Sequence, residues 1–322
     1  MSCLETGRNL AKDSKGVIWM RLKDVKRDFV RNWSVYLLSL PVLAYFIIFN
    51  YIPMAGIILA FEKFTPKAGV FLSEWVGLKN FINFFGSYYF VRLLKNTFLL
   101  SFFDMLFNFP APIILALLLN EVGNKYFKKV VQTISYMPYF ISMVVMAGIV
   151  LDFVATDGVI TNALSALGIV EKKNLLSVSK YFRAIYVGTG MWQFVGYGSI
   201  IFLAALSGVD PELYEAAKID GAGRWKQTIH VTLPGIAPTI IVMLILRVGQ
   251  LMTVGFDKIL LLYNPLIFET ADVIATFTYR KGIQEADYGY ATAVGLFNSV
   301  VNFTLLSITN ALSRRFSETS LY

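Results

Sequence analysis

Six apolar runs constrain this chain more than any other feature. They cover roughly residues 34–60, 96–119, 131–154, 184–206, 235–256 and 289–311. A bilayer core about 30 Å thick needs about 20 apolar residues of helix, and each run reaches that length. The third and fourth are the least clean, because Asp152, Gln193 and several glycines interrupt them. Composition points the same way. Hydrophobic residues make up 56% of the 322 positions and charged residues 16%. A soluble domain has about 45–50% and about 25% respectively. Mean hydropathy is +0.60. The expected fold class is all-α, a polytopic membrane protein with about six transmembrane helices.

Net charge is +8 and the pI about 9.3. A basic chain can bind nucleic acid, but no zinc-finger spacing, basic helix or RNA-binding aromatic signature is present. No nucleic-acid partner is expected. The positive charge instead fits cytoplasmic loops facing anionic membrane lipid. Arg8, Lys12, Lys15, Arg21, Lys23, Lys26, Arg27 and Arg31 precede the first run and place the N-terminus in the cytoplasm. Six spans return the C-terminus, with Arg314 and Arg315, to the same side. The loop with Lys125, Lys128 and Lys129 and the loop 207–232 also fall inside. External segments then run about 61–95, 155–183 and 257–288. Lys172, Lys173, Arg280 and Lys281 make the bias moderate, so the orientation rests on the N-terminal cluster. The organisation is a basic leader 1–32, a transmembrane domain 33–316 and a tail 317–322. With Cys3 as the one cysteine, no intrachain disulfide framework forms. A polar, basic start argues against a cleavable signal peptide.

In the first external segment, Trp75, Val76, Leu78, Phe81, Phe84 and Phe85 fit either an interfacial amphipathic helix or an aromatic belt. Prolines 41, 53, 110, 112, 138, 234 and 238 lie in or beside apolar runs. Such helix breaks persist in a membrane where protein or a wet cavity satisfies the freed backbone. Pro110-Ala111-Pro112 is the sharpest case, either lining a pathway or making a kink that helps packing.

The most informative stretch is Asp210-Pro211-Glu212-Leu213-Tyr214-Glu215-Ala216-Ala217-Lys218-Ile219-Asp220-Gly221-Ala222, leading to Leu233-Pro234. Asp210 suits an N-cap and Pro211 the first helical position. Glu212 favours the positive helix end. Gly221 suits a C-terminal stop. A second short helix is expected over Arg224–Val231, giving a cytoplasmic helical hairpin. Ala216 and Ala217 allow close approach by another backbone, and Glu215, Lys218, Asp220 and Arg224 supply a polar rim. The hairpin looks like a docking element for a cytosolic partner.

Glu215-Ala216-Ala217, Gly221 and Leu233-Pro234 at this spacing resemble the EAA loop of binding-protein-dependent ABC importer permeases. Val231 stands where that loop usually has Ile, a conservative departure. Val76-Gly77-Leu78-Lys79-Asn80-Phe81, Phe109-Pro110-Ala111-Pro112 and Leu117-Leu118-Leu119-Asn120-Glu121-Val122 are similar to oligosaccharide permeases of the LplB type. So are Gln132-Thr133-Ile134-Ser135-Tyr136-Met137-Pro138 and Tyr290-Ala291-Thr292-Ala293-Val294-Gly295. These belong to the broad class of the maltose permease subunits, and the likeness covers about residues 28–316.

The resemblance implies a type I ABC importer permease in a prokaryotic plasma membrane, with both termini cytoplasmic. It implies a second homologous permease subunit, two ATPase subunits and an extracellular solute-binding protein delivering sugar. Glu215, Ala216, Ala217, Asp220, Gly221, Leu233 and Pro234 would form the ATPase-coupling element. The ATPase motif Gly-x-x-x-x-Gly-Lys-Ser/Thr is absent. The chain is therefore expected to bind no cofactor and to be no enzyme, with ATP and Mg held by the partner ATPase.

Ionisable and polar residues at membrane depth are candidate substrate contacts. They are Arg247 with Gln250, Asp104 with Asn108, Trp192 with Gln193, and Asn298 with Asn302. Arg247 is expected near the middle of the fifth span, where it could meet a uronic acid carboxylate. Arg247 and Asp104 could equally pair with each other, and Asn and Gln often bridge helices. His230 reads as a surface residue of the loop. No metal cluster or nucleophile–base pair is visible. A self-contained, ion-coupled sugar carrier is the alternative, but it calls for paired repeats and acidic residues at mid-membrane, and Asp104 is the single acidic candidate. A membrane glycosyltransferase would need clustered carboxylates or metal ligands.

Overall fold

The computed structural model describes residues 27–70 and 72–316. Cys3, the leader cations from Arg8 to Lys26 and the tail 317–322 lie outside the described residues. The chain forms two compact units, one up to Ile58 and one from Leu59.

The first unit is mainly helix α1, Trp33–Phe46, followed by a π-helical turn Ile47–Tyr51. It is apolar on every side, as a lipid-facing helix must be. Pro41 sits inside it without ending it. At its start, Asp28 accepts hydrogen bonds from Asn32 Nδ2 at 2.6 Å and the Tyr36 hydroxyl at 2.7 Å.

The second unit opens with strands β1 (Glu62–Lys63) and β2 (Glu74–Trp75), paired antiparallel with Glu62 opposite Trp75. Helix α2, Lys79–Phe85, follows. Its aromatic residues divide between protein and surface. Phe84 is fully buried and meets Phe90 and Phe297 edge-on at 5.2 and 5.5 Å, so the helix is docked on protein. Trp75 belongs to the strand pair and stacks on Phe61. Leu78, Ile82 and Phe85 stay exposed.

Helices α3 (Tyr89–Asn108) and α4 (Pro110–Glu121) make one span, Tyr89–Glu121, which starts seven positions before the expected 96. Pro110 occupies the first position of α4, where its missing N–H costs nothing; the span is interrupted at Phe109, and Phe109 and Pro112 line the cavity described below. The expected third span departs most. Helix α5, Lys125–Tyr136, and a 3₁₀ turn, Met137–Phe140, are bent 100° away from helix α6, Met143–Phe153. Ile141 and Ser142 are extended, and the Ser142 hydroxyl caps α6 through Val145 N. The break falls beside Pro138, not at Asp152 or a glycine.

Helix α7 is Val159–Ala166, α8 is Ser179–Ser207 and α9 is Pro211–Ile219. Helix α10 runs Arg224–Val248 with a π-helical turn at Thr228–Thr232. The expected span 235–256 is therefore displaced: helix begins earlier and ends at Val248. Helices α11 (Phe256–Leu262), α12 (Ile274–Tyr279) and α13 (Tyr288–Phe316) complete the chain. Among the described residues, five helices are long and apolar enough to cross a membrane, or six if the bent α5–α6 pair is one span. The expected all-α architecture is present.

Helix α8 is the hub, packed on α3, α4, α5 and α10. Lipid gives little hydrophobic drive for helix pairing, so small residues that permit close backbone approach decide the contacts. Gly196 is one: a Cβ there would lie 1.9 Å from the Ser135 carbonyl oxygen. Leu100, Met146, Phe182 and Ile259 anchor one apolar cluster around α8, and Ala116, Phe202, Leu206 and Ile236 another.

Candidate substrate cavity and coupling hairpin

Helices α3, α8 and α10 and the segment after α10 enclose a cavity of about 960 Å³. That is ample for an oligosaccharide segment, since ligand cavities of about 300–1,000 Å³ hold drug-sized molecules. Asp104, Asn108, Arg247, Gln250 and Lys258 supply its polar groups, with Ser101. Tyr186, Phe194, Tyr197 and Phe109 give it aromatic walls. Tyr197 is held flat by Tyr139, stacked at 3.7 Å and 2°.

Local structure explains how these groups converge. Ser101, Asp104 and Asn108 lie at helical spacing on α3 and share its cavity face. Asn108 Nδ2 donates to Asp104 Oδ1 at 2.6 Å, and Arg247 Nη2 forms an ion pair with the other Asp104 oxygen. Arg247 occupies the last turn of α10, not the middle of a span, because Gly249–Thr253 leave the helix. Gln250 lies in that non-helical stretch.

Backbone freed inside a membrane protein needs side-chain partners, and here it has them. Met252 N donates to Asn302 Oδ1 at 2.9 Å, Asn302 Nδ2 donates to Thr253 Oγ1 at 2.9 Å, and Gly255 N donates to the Tyr186 hydroxyl at 3.1 Å. Asn302 thus splints the end of α10.

Lys258 was not foreseen. It lies just past the fifth span, on α11, and is 4% exposed. Its Nζ donates to the Tyr186 carbonyl oxygen at 2.6 Å and sits 4.4 Å from the centre of the Tyr186 ring. Burial pushes its ammonium down to about 7, against the opposing pull of Asp104. Gly190 leaves room for these polar ends: a Cβ there would lie 2.8 Å from Asn108 Nδ2 and 3.2 Å from Lys258 Nζ. Pattern reasoning missed Lys258 because it stands in a segment read as an external loop.

Three expected substrate contacts fall elsewhere. Trp192 is about 200° around α8 from the cavity-lining Phe194, half exposed on another face. Gln193 is buried, its Nε2 3.4 Å from the Ile141 carbonyl oxygen at the α5–α6 break. Asn298 lies on α13 away from the cavity lining.

The EAA hairpin forms largely as its residues dictate. Asp210 Oδ1 accepts from Glu212 N at 2.9 Å and Pro211 opens α9. Gly221 adopts φ +74°, while Gly221 N bonds to Lys218 O and Ala222 N to Ala217 O. This is a Schellman stop, which needs a left-handed residue. Glu215, Ala216 and Asp220 are exposed and Ala217 is half-buried. Leu213, Ile219 and Trp225 present apolar surface at 52%, 87% and 75% exposure. The second arm is not a separate short helix. It is the first turns of α10, with Leu233 and Pro234 inside that continuous helix. The Tyr214 hydroxyl donates to Thr232 Oγ1 at 3.1 Å and fastens α9 to α10. His230 is exposed, as expected.

Comparison with known proteins agrees with this architecture. A family model, "Binding-protein-dependent transport system inner membrane component", matches residues 108–318. Protein LplB of Bacillus subtilis (strain 168) is 44% identical over 308 residues, covering 96% of this chain and 95% of LplB. The polygalacturonan/rhamnogalacturonan transport system permease protein YteP of the same organism is 43% identical over 293 residues, covering 91% of each. A chain in the crystal structure of a bacterial alginate ABC transporter, in complex with alginate pentasaccharide-bound periplasmic protein, superposes with a TM-score of 0.84. It is 43% identical, with 92% of this chain and 99% of that chain covered.

Proposed function

The chain belongs to the family of binding-protein-dependent transport system inner membrane components, and from that membership we propose that it carries an acidic oligosaccharide through the membrane as the permease subunit of an ABC importer. One observation carries the acidic substrate. The cavity places Arg247 and Lys258 against a single carboxylate, Asp104. Below about pH 7, where Lys258 is protonated, one cation is in excess, and Lys258 sits in a low-dielectric setting where an unmatched charge is costly. A uronate carboxylate supplies the missing anion. The aromatic walls offer faces to sugar rings, while Asn108, Gln250 and Ser101 offer hydrogen bonds to hydroxyls. The Asn108 Oδ1 and Ser101 Oγ atoms are buried with no protein partner, and sugar hydroxyls would satisfy them. The similarity to YteP and to an alginate transporter supports the same substrate class.

Family membership supports the rest of the proposed assembly. A second permease subunit completes the pathway, a solute-binding protein delivers the glycan, and two ATPase subunits dock below, holding ATP and Mg. The exposed hairpin, with Glu215, Ala216, Ala217, Asp220 and Gly221, seats in the ATPase. Leu233 and Pro234 transmit its motion as part of α10. Both termini face the cytoplasm, and the chain resides in the plasma membrane of a prokaryote. An ion-coupled carrier acting alone is set aside, because the family model describes a component of a binding-protein-dependent system.

The test is ATPase stimulation in the complex co-purified from its native membrane. Oligogalacturonate loaded on the binding protein is expected to stimulate hydrolysis, whereas maltotriose is not. Stimulation by neutral sugar alone would overturn the acidic substrate.

A further inference from the structure

A second cationic group lies outside the central cavity. Asp272 is fully buried and is gripped by Arg280, whose Nη2 and Nη1 reach its two carboxylate oxygens at 2.7 and 3.3 Å. Thr276 Oγ1 donates to Oδ1 at 3.0 Å. That pair is already complete. Two more guanidinium groups stand beside it. Arg92 reaches Asp272 Oδ2 at 3.4 Å through Nη2 alone. Arg183 donates from Nη2 to Asn96 Oδ1 at 3.0 Å, and Asn96 Nδ2 in turn donates to the backbone carbonyls of Glu269 and Asp272. The Nε atoms of both Arg92 and Arg183 are buried and donate to no acceptor. Glu269 is exposed and forms no ion pair with them. Two guanidinium groups therefore share the Asp272 carboxylate, and a third, that of Arg183, joins them through Asn96.

Two further half-buried guanidinium groups with unmet donors are more than the bracing of this loop requires. Arg280 and Thr276 already brace it. A guanidinium engaged through one arm keeps further N–H donors for a carboxylate.

The position is informative as well. Arg92 lies twelve residues before Asp104 on α3, about 18 Å along the helix. Arg183 lies one turn before Tyr186 on α8, whose carbonyl oxygen holds Lys258. The same two helices thus lead from the arginine group to the cavity.

We propose that Arg92 and Arg183 form an outer carboxylate subsite for the acidic glycan, on the external side of the central cavity, so that a long chain is held at two separated uronate residues. The subsite rests on the acidic-substrate reading above. A short oligouronate is held by Arg247 and Lys258 alone, whereas a longer one also reaches Arg92 and Arg183.

The test is equilibrium binding of trigalacturonate and heptagalacturonate to the intact, detergent-solubilised transporter complex. Wild type is expected to bind the heptamer more tightly. Arg92→Gln and Arg183→Gln are each expected to weaken the heptamer about five-fold, the scale of one partly screened charge pair, and to leave the trimer within about two-fold. Arg183→Lys should restore part of the loss. Arg280→Gln serves as the bracing control and should reduce assembly itself. A length advantage that survives in both Gln variants overturns the subsite, and so does an equal loss for both lengths, which marks Arg92 and Arg183 as structural. If wild type binds maltoheptaose but neither oligouronate, the acidic-substrate reading fails first and the subsite falls with it.

Discussion

Arg247 and Asp104, 143 positions apart in sequence, form an ion pair where the fifth span ends inside the protein. The pair joins α3 to α10 at the cavity wall and leaves Lys258 as the unmatched cation. Asp104→Asn breaks it and is expected to reduce uptake about ten-fold, equivalent to about 1.4 kcal/mol. Arg247 is 45% exposed, so the full cost of breaking a buried pair does not apply. Exchanging the two residues should recover part of the activity. Full activity in Asp104→Asn would show that the pair has no part in transport.

On the proposed acidic substrate, Lys258 is expected to tie affinity to pH. Burial lowers its pKa to about 7, so the group is cationic below that value and neutral above it. Affinity for an oligouronate should therefore be strong at pH 6 and fall as pH rises through about 7. The uronate itself is ionised throughout that range. Lys258→Arg should remove the dependence, because a guanidinium stays charged. Titrating substrate-stimulated ATPase activity at several pH values checks this. An identical pH profile in wild type and Lys258→Arg would contradict it.

Gly196 is a packing requirement. A methyl group there meets the Ser135 carbonyl oxygen at 1.9 Å, so α5 or α8 must shift. Gly196→Ala is expected to destabilise the protein by about 1–3 kcal/mol, as overpacking does. The readout is thermal unfolding in detergent. An unchanged midpoint would mean that α5 moves freely against α8.

The proposed coupling role of the hairpin predicts that coupling can be lost without loss of substrate binding. Glu215→Lys reverses a charge on its exposed rim, and Gly221→Pro cannot adopt φ +74°. Each should abolish substrate-stimulated ATPase activity while oligouronate still binds the purified complex. Normal stimulation in both would remove the coupling role from this hairpin.

Much of this was legible from sequence because the signals are local. Apolar length revealed the spans, and Asp210, Pro211 and Gly221 revealed the hairpin helix through its caps. Long-range satisfaction was not legible. The end of α10 after Val248 depends on Asn302 and Tyr186 holding the freed backbone, and neither is near it in sequence. Hydropathy therefore carried the fifth span too far and put Arg247 at mid-helix. The 100° bend beside Pro138 is invisible to hydropathy for the same reason, since both arms are apolar enough to read as one run. In the cavity, Asp104, Asn108, Arg247 and Gln250 announced themselves as polar residues in apolar runs. Lys258 did not, because it sits among ordinary loop charges and only folding buries it.

The most direct measurement is ATP-driven uptake of an oligogalacturonate and of its methyl ester into proteoliposomes containing the co-purified complex. The two sugars differ essentially in charge. Wild type is expected to take up the free acid at least about ten-fold faster, and Lys258→Gln to lose most of that preference. Equal uptake of acid and ester by wild type would contradict a cavity built for a carboxylate.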